Sequence, residues 1–233
     1  MKAFLLAAGV GSRLRPITDT LPKCMVVVDD RPLLDVWLDA FDGAGVDEVL
    51  VNLHHLPDVV RDHIAARPGP PAVRTVFEPE LLGSAGTLAA NRGWVDGEEM
   101  FLVCNADNLT DFDLRSLIDE HREHDAIATL TVFHSERPSA GGVVEADGDG
   151  TVVGFAEKPS EPASDLTNAG MYAFRPDVLG EITGPAPIDI GHHLLPRLVG
   201  RARAMLVEGY FRDIGTVEAY RRAREEWPVR AAR

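Results

Sequence analysis

The chain is poor in cysteine and in long apolar runs, and each shortage excludes a class of protein. Only two cysteines occur among 233 residues, Cys24 and Cys104, and they form neither a CxxC pair nor a set of metal ligands. No stretch of about eighteen apolar residues is present, which argues against a membrane-spanning helix. Both cysteines lie in apolar segments. We therefore expect buried free thiols and a protein of the reducing cytoplasm.

Positive charge is scarce as well. The chain has 23 Lys and Arg residues against 37 Asp and Glu residues, for a formal net charge of −14. Nucleic acids and anionic membranes bind to basic surfaces, so neither is expected as a partner. A small phosphate ligand is compatible with this charge, because a few local cations and backbone amides are enough to hold it.

Lysine is the rarest of the charged residues. The three lysines are Lys2, Lys23 and Lys158, and every other basic residue is arginine. A lysine retained in an arginine-rich chain indicates a place that needs a compact point charge rather than a planar guanidinium. Lys23 and Lys158 are therefore candidate binding residues.

Apolar runs alternate with amphipathic stretches in the first half of the chain, which predicts a doubly wound α/β fold with a mixed, mostly parallel sheet. The first apolar run ends at a glycine loop without a cleavage-like region, so a buried strand is favoured over a signal peptide. The predicted strands are Ala3–Ala7, Glu48–Leu53, Val73–Phe77 and Met100–Cys104, and the predicted helices are Pro32–Ala44, Asp58–Ala66 and Ser84–Arg92.

The pattern becomes richer in strands after Asp113. Here we predict a helix to about His124, strands Ile127–Phe133, Gly142–Glu145, Thr151–Ala156 and Asn168–Phe174, and helices Asp189–Val199 and Thr216–Glu226. No hinge-like linker is visible, so one domain over residues 1–233 is expected. Its halves are about 1–112 and about 113–233, the second containing a small β-rich annex.

A glycine-containing loop follows the first predicted strand, where open α/β sheets bind ligands. It contains Gly9, Gly11 and Arg13, and Lys23 follows it. The third glycine of a dinucleotide fingerprint and the Gly-Lys-Ser/Thr of a Walker A loop are both absent. Glycines let backbone amides approach phosphate oxygens, and the two cations supply positive charge. We therefore expect this loop to bind a triphosphate.

The segment AAGVGSRLRPITDTLPK resembles the signature loop of the sugar-1-phosphate nucleotidyltransferases, the nucleotide-sugar pyrophosphorylases. The resemblance extends from Met1 to about Trp227 and implies the family's Rossmann-like fold. It also implies that Arg13 and Lys23 bind the triphosphate and stabilise the negative charge that develops at the α-phosphate. The nucleotide-binding residues it implies in this loop are Ala8, Gly9, Gly11, Ser12, Arg13 and Lys23.

Two aspartates match the family's metal-binding positions. The segment Asn105-Ala106-Asp107 directly follows the apolar strand that ends at Cys104, and carboxylate oxygens suit Mg²⁺. The segment FLVCNADNLTDFDL resembles the family's metal strand, with Ala106 where the family usually has glycine. The segment around Asp213 resembles the element that supplies the second metal ligand. The resemblance thus implies Mg²⁺ on Asp107 and Asp213, with Asp107 catalytic together with Arg13 and Lys23.

A third set of residues matches the family's acceptor site. Phe155–Pro159 resembles its Glu-Lys-Pro segment, in which the lysine binds the sugar 1-phosphate and the glutamate binds sugar hydroxyls. Asn168-Ala169-Gly170 resembles the companion segment that lines the sugar. The implied acceptor residues are Gly142, Glu157, Lys158, Asn168 and Gly170.

The loop Gly83-Ser84-Ala85-Gly86 resembles the nucleobase loop, with Gly83 and Gly86 as nucleotide-binding residues. Its form is most similar to mannose-1-phosphate guanylyltransferases and, less closely, to heptose-1-phosphate guanylyltransferases. GTP is favoured over UTP for this reason. No hexapeptide repeats of the β-helix found in longer relatives are present.

The resemblance implies Mg²⁺-dependent transfer of a nucleoside monophosphate from an NTP to a sugar 1-phosphate, with a homodimer as the implied assembly. The sugar is open among mannose, a heptose, an amino sugar and a cyclitol phosphate. A glycosyltransferase that consumes an NDP-sugar is disfavoured, because it would usually carry Asp-x-Asp where Asn105-Ala106-Asp107 stands. A non-catalytic nucleotide sensor is disfavoured because Arg13, Lys23 and both aspartates are present.

Two pairs of adjacent histidines occur in the chain. His54-His55 follows a predicted strand, and His192-His193 lies in a predicted helix. Neither pair has the spacing of zinc ligands, so loop and helix-surface positions are expected.

Overall fold

The computed structural model describes residues 1–231, and it is built on a mixed nine-stranded sheet. The strands, in chain order, are β1 Lys2–Leu6, β2 Val27–Val28, β3 Arg31–Pro32, β4 Glu48–Leu53, β5 Ala72–Phe77, β6 Phe101–Asn105, β7 Asn108–Thr110, β8 Ala128–His134, β9 Gly142–Ala146, β10 Val152–Glu157, β11 Leu166–Phe174, β12 Ala202–Leu206 and β13 Phe211–Asp213. The helices are α1 Leu33–Gly43, α2 Pro57–Ala66, α3 Ser84–Ala90, α4 Leu114–Glu123, α5 Leu195–Leu198 and α6 Val217–Ala231.

Strand β1 is central in the sheet and pairs in parallel with β4 on one side and β6 on the other. Leu6, at its carboxyl end, is in register with Asn52 and Asn105. Strand β5 extends the parallel part beyond β4. The carboxyl ends of the central strands therefore meet at one edge of the sheet, which is where the loop Ala7–Gly11 begins.

Strand β11 joins the two halves of the chain. It runs antiparallel to β6 on one side and to β8 on the other. Beyond β8, strand β12 pairs in parallel, while the β9–β10 hairpin attaches to β11 through Thr167 and Val143. The α/β class with a doubly wound, mixed sheet and a β-rich annex is confirmed.

Apolar side chains cover both faces of the sheet, as the continuous hydrophobic runs of its central strands require. One face packs against α1, whose Trp37, Leu38 and Phe41 are buried, and the other packs around Phe4, Phe101 and Phe174. The two cysteines are buried and free, as predicted, and burial raises the pKa of the Cys24 thiol to about 12.

In the second half, one predicted helix differs in type from the structure, and strand β12 lies where no element was predicted. The predicted helix Asp189–Val199 is a π-helical turn over Ile190–Leu194 followed by the short helix α5. Strand β12 was not predicted, because arginine interrupts its apolar pattern at 203 and only its pairing with β8 makes it a strand. The cap of α6 agrees with the sequence, since Thr216 Oγ1 accepts a hydrogen bond from the Ala219 amide.

The division into a nucleotide-binding half (about 1–112) and an acceptor-binding half (about 113–233) stays a prediction, and residues 232–233 lie outside the described residues. Among residues 1–231, no helix has the length and hydropathy needed to cross a membrane.

The buried histidine of α4 predicts a loss of stability in mild acid. His121 is 3% exposed, and its Nδ1 lies 2.9 Å from Thr129 Oγ1. Burial, aided by the positive charge of Arg175, lowers its pKa from 6.5 to about 4. The fold therefore prefers neutral His121, and the resulting stability is present above pH 6.5 and is lost as pH falls toward 4.

We expect the free energy of unfolding of the wild type, measured in urea, to fall between pH 6.5 and pH 4. His121→Asn keeps a polar group near the Nδ1 position and does not titrate, so its pH slope is expected to be shallower by up to about 1.4 kcal/mol per pH unit. His134→Asn, at an exposed position, is the control. Equal slopes in wild type and His121→Asn would contradict the assignment.

Candidate active site

The loop that follows β1 is held in a left-handed turn at Gly11. Gly11 has φ of +67°, and its carbonyl accepts hydrogen bonds from the Leu14 amide at 2.9 Å and from Thr18 Oγ1 at 2.7 Å. A Cβ at Gly11 would lie 2.8 Å from Thr18 Cγ2. Glycine is therefore required here both by the backbone conformation and by the close approach of Thr18. Ser12 and Arg13 follow on the exposed side of the turn.

Gly9 leaves open space at the same loop. A Cβ at this position would meet no atom within 4 Å. Gly9 lines a small cleft together with Leu6, Ala7, Lys23, Cys24, Ala106 and Asp107. The buried Ala8 precedes it. A ligand in this cleft can reach the backbone of the loop and the Lys23 ammonium at the same time.

Side chains from the next parallel strand and its loop anchor the glycine loop. The Ala7 amide donates to Asn52 Oδ1 at 2.7 Å, and His55 Nε2 donates to the Thr18 carbonyl at 2.8 Å. His54 Nδ1 likewise donates to the Glu78 carbonyl. His54 and His55, for which loop positions are expected, lie in the loop after β4. They bind the backbone at Glu78 and at Thr18.

Lys23 and two aspartates form the charged centre of the site. Lys23 Nζ lies 2.5 Å from Asp107 Oδ2 and 3.7 Å from Asp213 Oδ1. Asp107 follows β6, while Asp213 ends β13, a strand that pairs antiparallel with β7. The Ile214 amide donates to the Asp107 carbonyl at 2.8 Å, which fixes the approach of the two segments. The structure thus brings together three residues that lie up to 190 positions apart in the chain.

Arg13 reaches the same centre from the glycine loop. A Cβ at Gly215 would lie 3.0 Å from Arg13 Nη2 and 2.8 Å from Asp213 Oδ1, so the glycine leaves room for both groups. Burial, followed by repulsion from Asp107, raises the pKa of Asp213, and attraction to Lys23 and Arg13 partly offsets this rise. Two cations and two carboxylates therefore share one small volume.

The two carboxylates fit a Mg²⁺ ion. Among residues 1–231, no group of three or more Asp, Glu, His or Cys side chains is arranged to hold a metal by itself. Mg²⁺ usually binds through one or two carboxylates and completes its shell with water and substrate phosphate oxygens. Asp107 and Asp213, each within ion-pair reach of the same ammonium, supply that donor set.

A buried polar network links the glycine loop to α3. Asn52 Nδ2 donates to Glu78 Oε1 at 2.9 Å and to Thr87 Oγ1 at 3.0 Å, and the Leu82 amide donates to Glu78 Oε2 at 3.2 Å. Glu78 is 2% exposed. Sequence reasoning missed these residues, although an asparagine inside the apolar run of β4 is a signal that could have identified the network.

The predicted nucleobase loop packs closely against a distant backbone segment. Gly83 has φ of +80°, and a Cβ there would lie 2.5 Å from the Ile188 carbonyl oxygen. The same oxygen accepts hydrogen bonds from the amides of Ala85 and Gly86, each at 2.9 Å. The glycines at 83 and 86 are therefore explained in part by internal packing, and their contact with a nucleobase stays a prediction.

The predicted acceptor residues lie around the end of β10. Glu157 is in register with Gly142 of β9, and its side chain is 16% exposed. Lys158 has φ of +47°, which is uncommon for a residue with a side chain and marks a strained position. Its side chain is 61% exposed, and its ammonium lies 3.7 Å from Glu157 Oε1.

Strand β11 connects the acceptor residues to the charged centre. Asn168 Nδ2 donates to the Tyr172 hydroxyl at 2.6 Å, and its Oδ1 accepts from the Gly170 amide at 3.2 Å. Gly170 has φ of +74°, and a Cβ there would collide with the amide of Asn105. The predicted residues of the charged centre and of the acceptor site therefore form two clusters, one around Lys23 and one around Glu157, with Gly170 packed against Asn105 at the end of β6.

The chain is similar in sequence to proteins of known family. A family model described as nucleotidyl transferase matches residues 2–228. The chain is 35% identical over 221 residues to the mannose-1-phosphate guanylyltransferase catalytic subunit beta of Danio rerio, covering 92% of this chain and 61% of the relative. It is 34% identical over 239 residues to the UTP–glucose-1-phosphate uridylyltransferase of Synechocystis sp., covering 94% and 61%. The chain thus spans about three fifths of the length of these curated relatives.

The fold is also similar to that of a solved structure. HddC from Yersinia pseudotuberculosis, complexed with GMP-PN, superposes with a TM-score of 0.80 at 24% sequence identity, over 97% of this chain and 99% of that chain. At this level of identity the likeness concerns the fold.

The packing of Gly170 predicts a stability cost for any side chain there. We expect Gly170→Ala to lower the free energy of unfolding by at least about 1 to 2 kcal/mol, because the left-handed backbone penalises a Cβ and Asn105 must move. Gly148→Ala is the control, since its Cβ would meet no atom within 4 Å. Urea denaturation measures both. Equal stability of the two variants would show that the close approach at Gly170 is absent.

Proposed function

Because this chain belongs to the nucleotidyl transferase family, we propose that it transfers a nucleoside monophosphate from an NTP to a sugar 1-phosphate. The products are an NDP-sugar and pyrophosphate. The observation that carries the proposal is the meeting of Lys23 with Asp107 and Asp213 beside the glycine loop. Phosphoryl chemistry of this kind depends on positioning and on charge stabilisation, and this centre has the groups for both.

In the proposed reaction, a phosphate oxygen of the acceptor attacks the α-phosphorus of the NTP. A new P–O bond forms while the bond to the bridging oxygen of the leaving pyrophosphate breaks. Lys23 and Arg13 donate to the phosphate oxygens, where negative charge increases in the transition state. The loop from Ala8 to Ser12 contributes backbone amides, and Gly9 leaves the space they need.

We assign Mg²⁺ to Asp107 and Asp213. When bound, the ion would offset charge on the triphosphate and act as a Lewis acid. The role of the protein is to hold both carboxylates on the same side of the cleft, through the pairing of β7 with β13.

On the acceptor side, we assign the sugar phosphate to Lys158 and the sugar hydroxyls to Glu157, Asn168 and the backbone near Gly170. Lys158 supports this assignment because its side chain is exposed and its ion-pair partner among the described residues, Glu157, is 3.7 Å away. A group so placed is available to a phosphate. The acceptor sugar could equally be replaced by a cyclitol with the same hydroxyl pattern.

GTP is the proposed nucleotide, and UTP is the second candidate. The guanylyltransferase from Danio rerio and the Gly-Ser-Ala-Gly loop support GTP. The uridylyltransferase from Synechocystis sp. supports UTP.

The net charge of −14 supports small-molecule partners rather than nucleic acid or anionic membranes. Two buried free cysteines support a cytoplasmic location. A homodimer is proposed from the family alone.

The proposed reaction predicts that pyrophosphate appears only when both substrates are present. The assay combines each common NTP with mannose 1-phosphate, glucose 1-phosphate, a heptose 1-phosphate, an amino-sugar 1-phosphate and a cyclitol phosphate, in the presence of Mg²⁺. The highest rate is expected with GTP, and chelation of Mg²⁺ should abolish it. Equal release of pyrophosphate without any acceptor would reject the transferase assignment.

The two candidate lysines are expected to serve different substrates. Methionine keeps the apolar stem and removes the charge, so Lys23→Met should weaken NTP binding, and Lys158→Met should raise the KM for the sugar phosphate. A charge-assisted contact contributes about 1.5 to 3 kcal/mol, which corresponds to about a ten- to hundredfold effect. Calorimetry measures NTP binding, and steady-state kinetics gives the KM. Each variant is the control for the other, and an exchange of the two effects would reverse the assignment.

A further inference from the structure

We propose that Gly191, in the π-helical turn Ile190–Leu194, is a positioning residue of the acceptor site, because it leaves the space that the Glu157 carboxylate occupies. This inference rests on the proposed function. It assigns the turn to the acceptor site, where sequence reasoning had predicted only an ordinary helix. π-Helical turns are rare and occur frequently at functional sites.

The Glu157 carboxylate occupies the space between two glycines, Gly142 and Gly191. A Cβ at Gly191 would lie 2.5 Å from Glu157 Oε2 and 3.1 Å from its carboxyl carbon. On the other side, a Cβ at Gly142 would lie 2.8 Å from the same oxygen. The carboxylate therefore lies in a notch formed by Gly142 of β9 and Gly191 of the turn. A Cβ at position 191 would meet only the Glu157 side chain, whereas one at position 142 would also collide with the Phe155 ring.

The Glu157 carboxylate in this notch accepts no hydrogen bond from the described residues. Glu157 is 16% exposed, and no residue among 1–231 donates a hydrogen bond to it; its charged neighbour is Lys158 Nζ at 3.7 Å. A largely buried carboxylate gains considerably from donors. Sugar hydroxyls are donors of the right kind, so the position of this carboxylate decides how well they are bound.

Hydrogen bonds to the start of α3 hold the backbone of the π-helical turn in place. The Ile188 carbonyl accepts the amides of Ala85 and Gly86, and the Ile190 amide donates to Ser84 Oγ at 2.7 Å. The Asp189 amide in turn donates to His193 Nδ1 at 2.9 Å. Because the start of α3 fixes the backbone of the turn, a methyl group at position 191 is expected to move the Glu157 side chain rather than the turn.

The glycine at 191 is not explained by backbone conformation. Its φ lies outside the left-handed range, so alanine fits the backbone there without strain. The group that a Cβ would meet is the far end of a flexible side chain. Gly191→Ala should therefore cost little stability while it displaces the carboxylate. That combination separates a positioning role from a structural one.

The test is a double-mutant cycle with Gly191→Ala, Glu157→Ala and the combined variant, using the sugar 1-phosphate that reacts fastest in the substrate assay. Gly180→Ala is the matched control, because a Cβ there would meet no atom within 4 Å and its backbone is also outside the left-handed range. Sugar-phosphate KM, NTP affinity by calorimetry and the melting temperature are measured for each variant.

We expect Gly191→Ala to raise the sugar-phosphate KM about tenfold or more, as loss of a hydrogen bond to a charged group would do. NTP affinity and melting temperature should stay near wild type, and Gly180→Ala should match wild type throughout. In the Glu157→Ala background, Gly191→Ala should have no further effect on KM. An unchanged KM in Gly191→Ala, or an equal effect with and without Glu157, would overturn the proposal.

A crystal structure of Gly191→Ala gives a readout that does not depend on activity. The Glu157 carboxylate is expected to leave the notch, and a carboxylate found in place would overturn the inference even if the transferase reaction were established. Failure of the wild type to react with any sugar 1-phosphate would instead reject the proposed function itself. The two failures are therefore distinguishable.

Discussion

The ion pairs of Lys23 with Asp107 and Asp213 are the constraint on which the rest of the site depends. A lysine that is only 8% exposed needs compensating negative charge, and two carboxylates so close to each other need a cation. These requirements are met only if the glycine loop, the end of β6 and the end of β13 are held at one point. The parallel centre of the sheet and the small β7–β13 pair provide that geometry.

Close approach to glycine is the second recurring feature of the site. The absence of a side chain at four glycines leaves room for a neighbouring group. The pairs are Gly11 with Thr18, Gly83 with the Ile188 backbone, Gly170 with Asn105 and Gly191 with Glu157. At Gly83, Gly170 and Gly191 a segment from a different part of the chain enters the space that a side chain would fill, and at Gly11 a residue seven positions along the chain does so. These contacts place polar groups more closely than ordinary side-chain packing allows, and they connect the nucleotide loop, the charged centre and the acceptor residues into one framework.

Sequence reasoning predicted the strands of the parallel core well, because β1, β4 and β6 are continuous apolar runs bounded by turns. It also selected Lys23, Asp107 and Asp213 as candidate site residues from local motifs, and the structure brings these side chains together. It placed a helix over Asp189–Val199, where the chain is helical but starts as a π-helical turn, and it missed several strands, β12 among them. Both elements depend on partners: the π-helical turn is held by α3 through Ile188 and Ser84, and β12 becomes a strand through its pairing with β8.

The sequence by itself determined the α/β class and which residue types follow each central strand, since hydrophobic periodicity and turn residues act over a few positions. Only the tertiary structure decided that Asp213 lies beside Asp107, that Ile188 closes the loop at Gly83, and that Gly191 borders Glu157. These contacts join residues from separate strands and turns, and no local pattern records the path that brings them together. Their geometry is set by strand pairing and by backbone hydrogen bonds between segments that are distant in the chain.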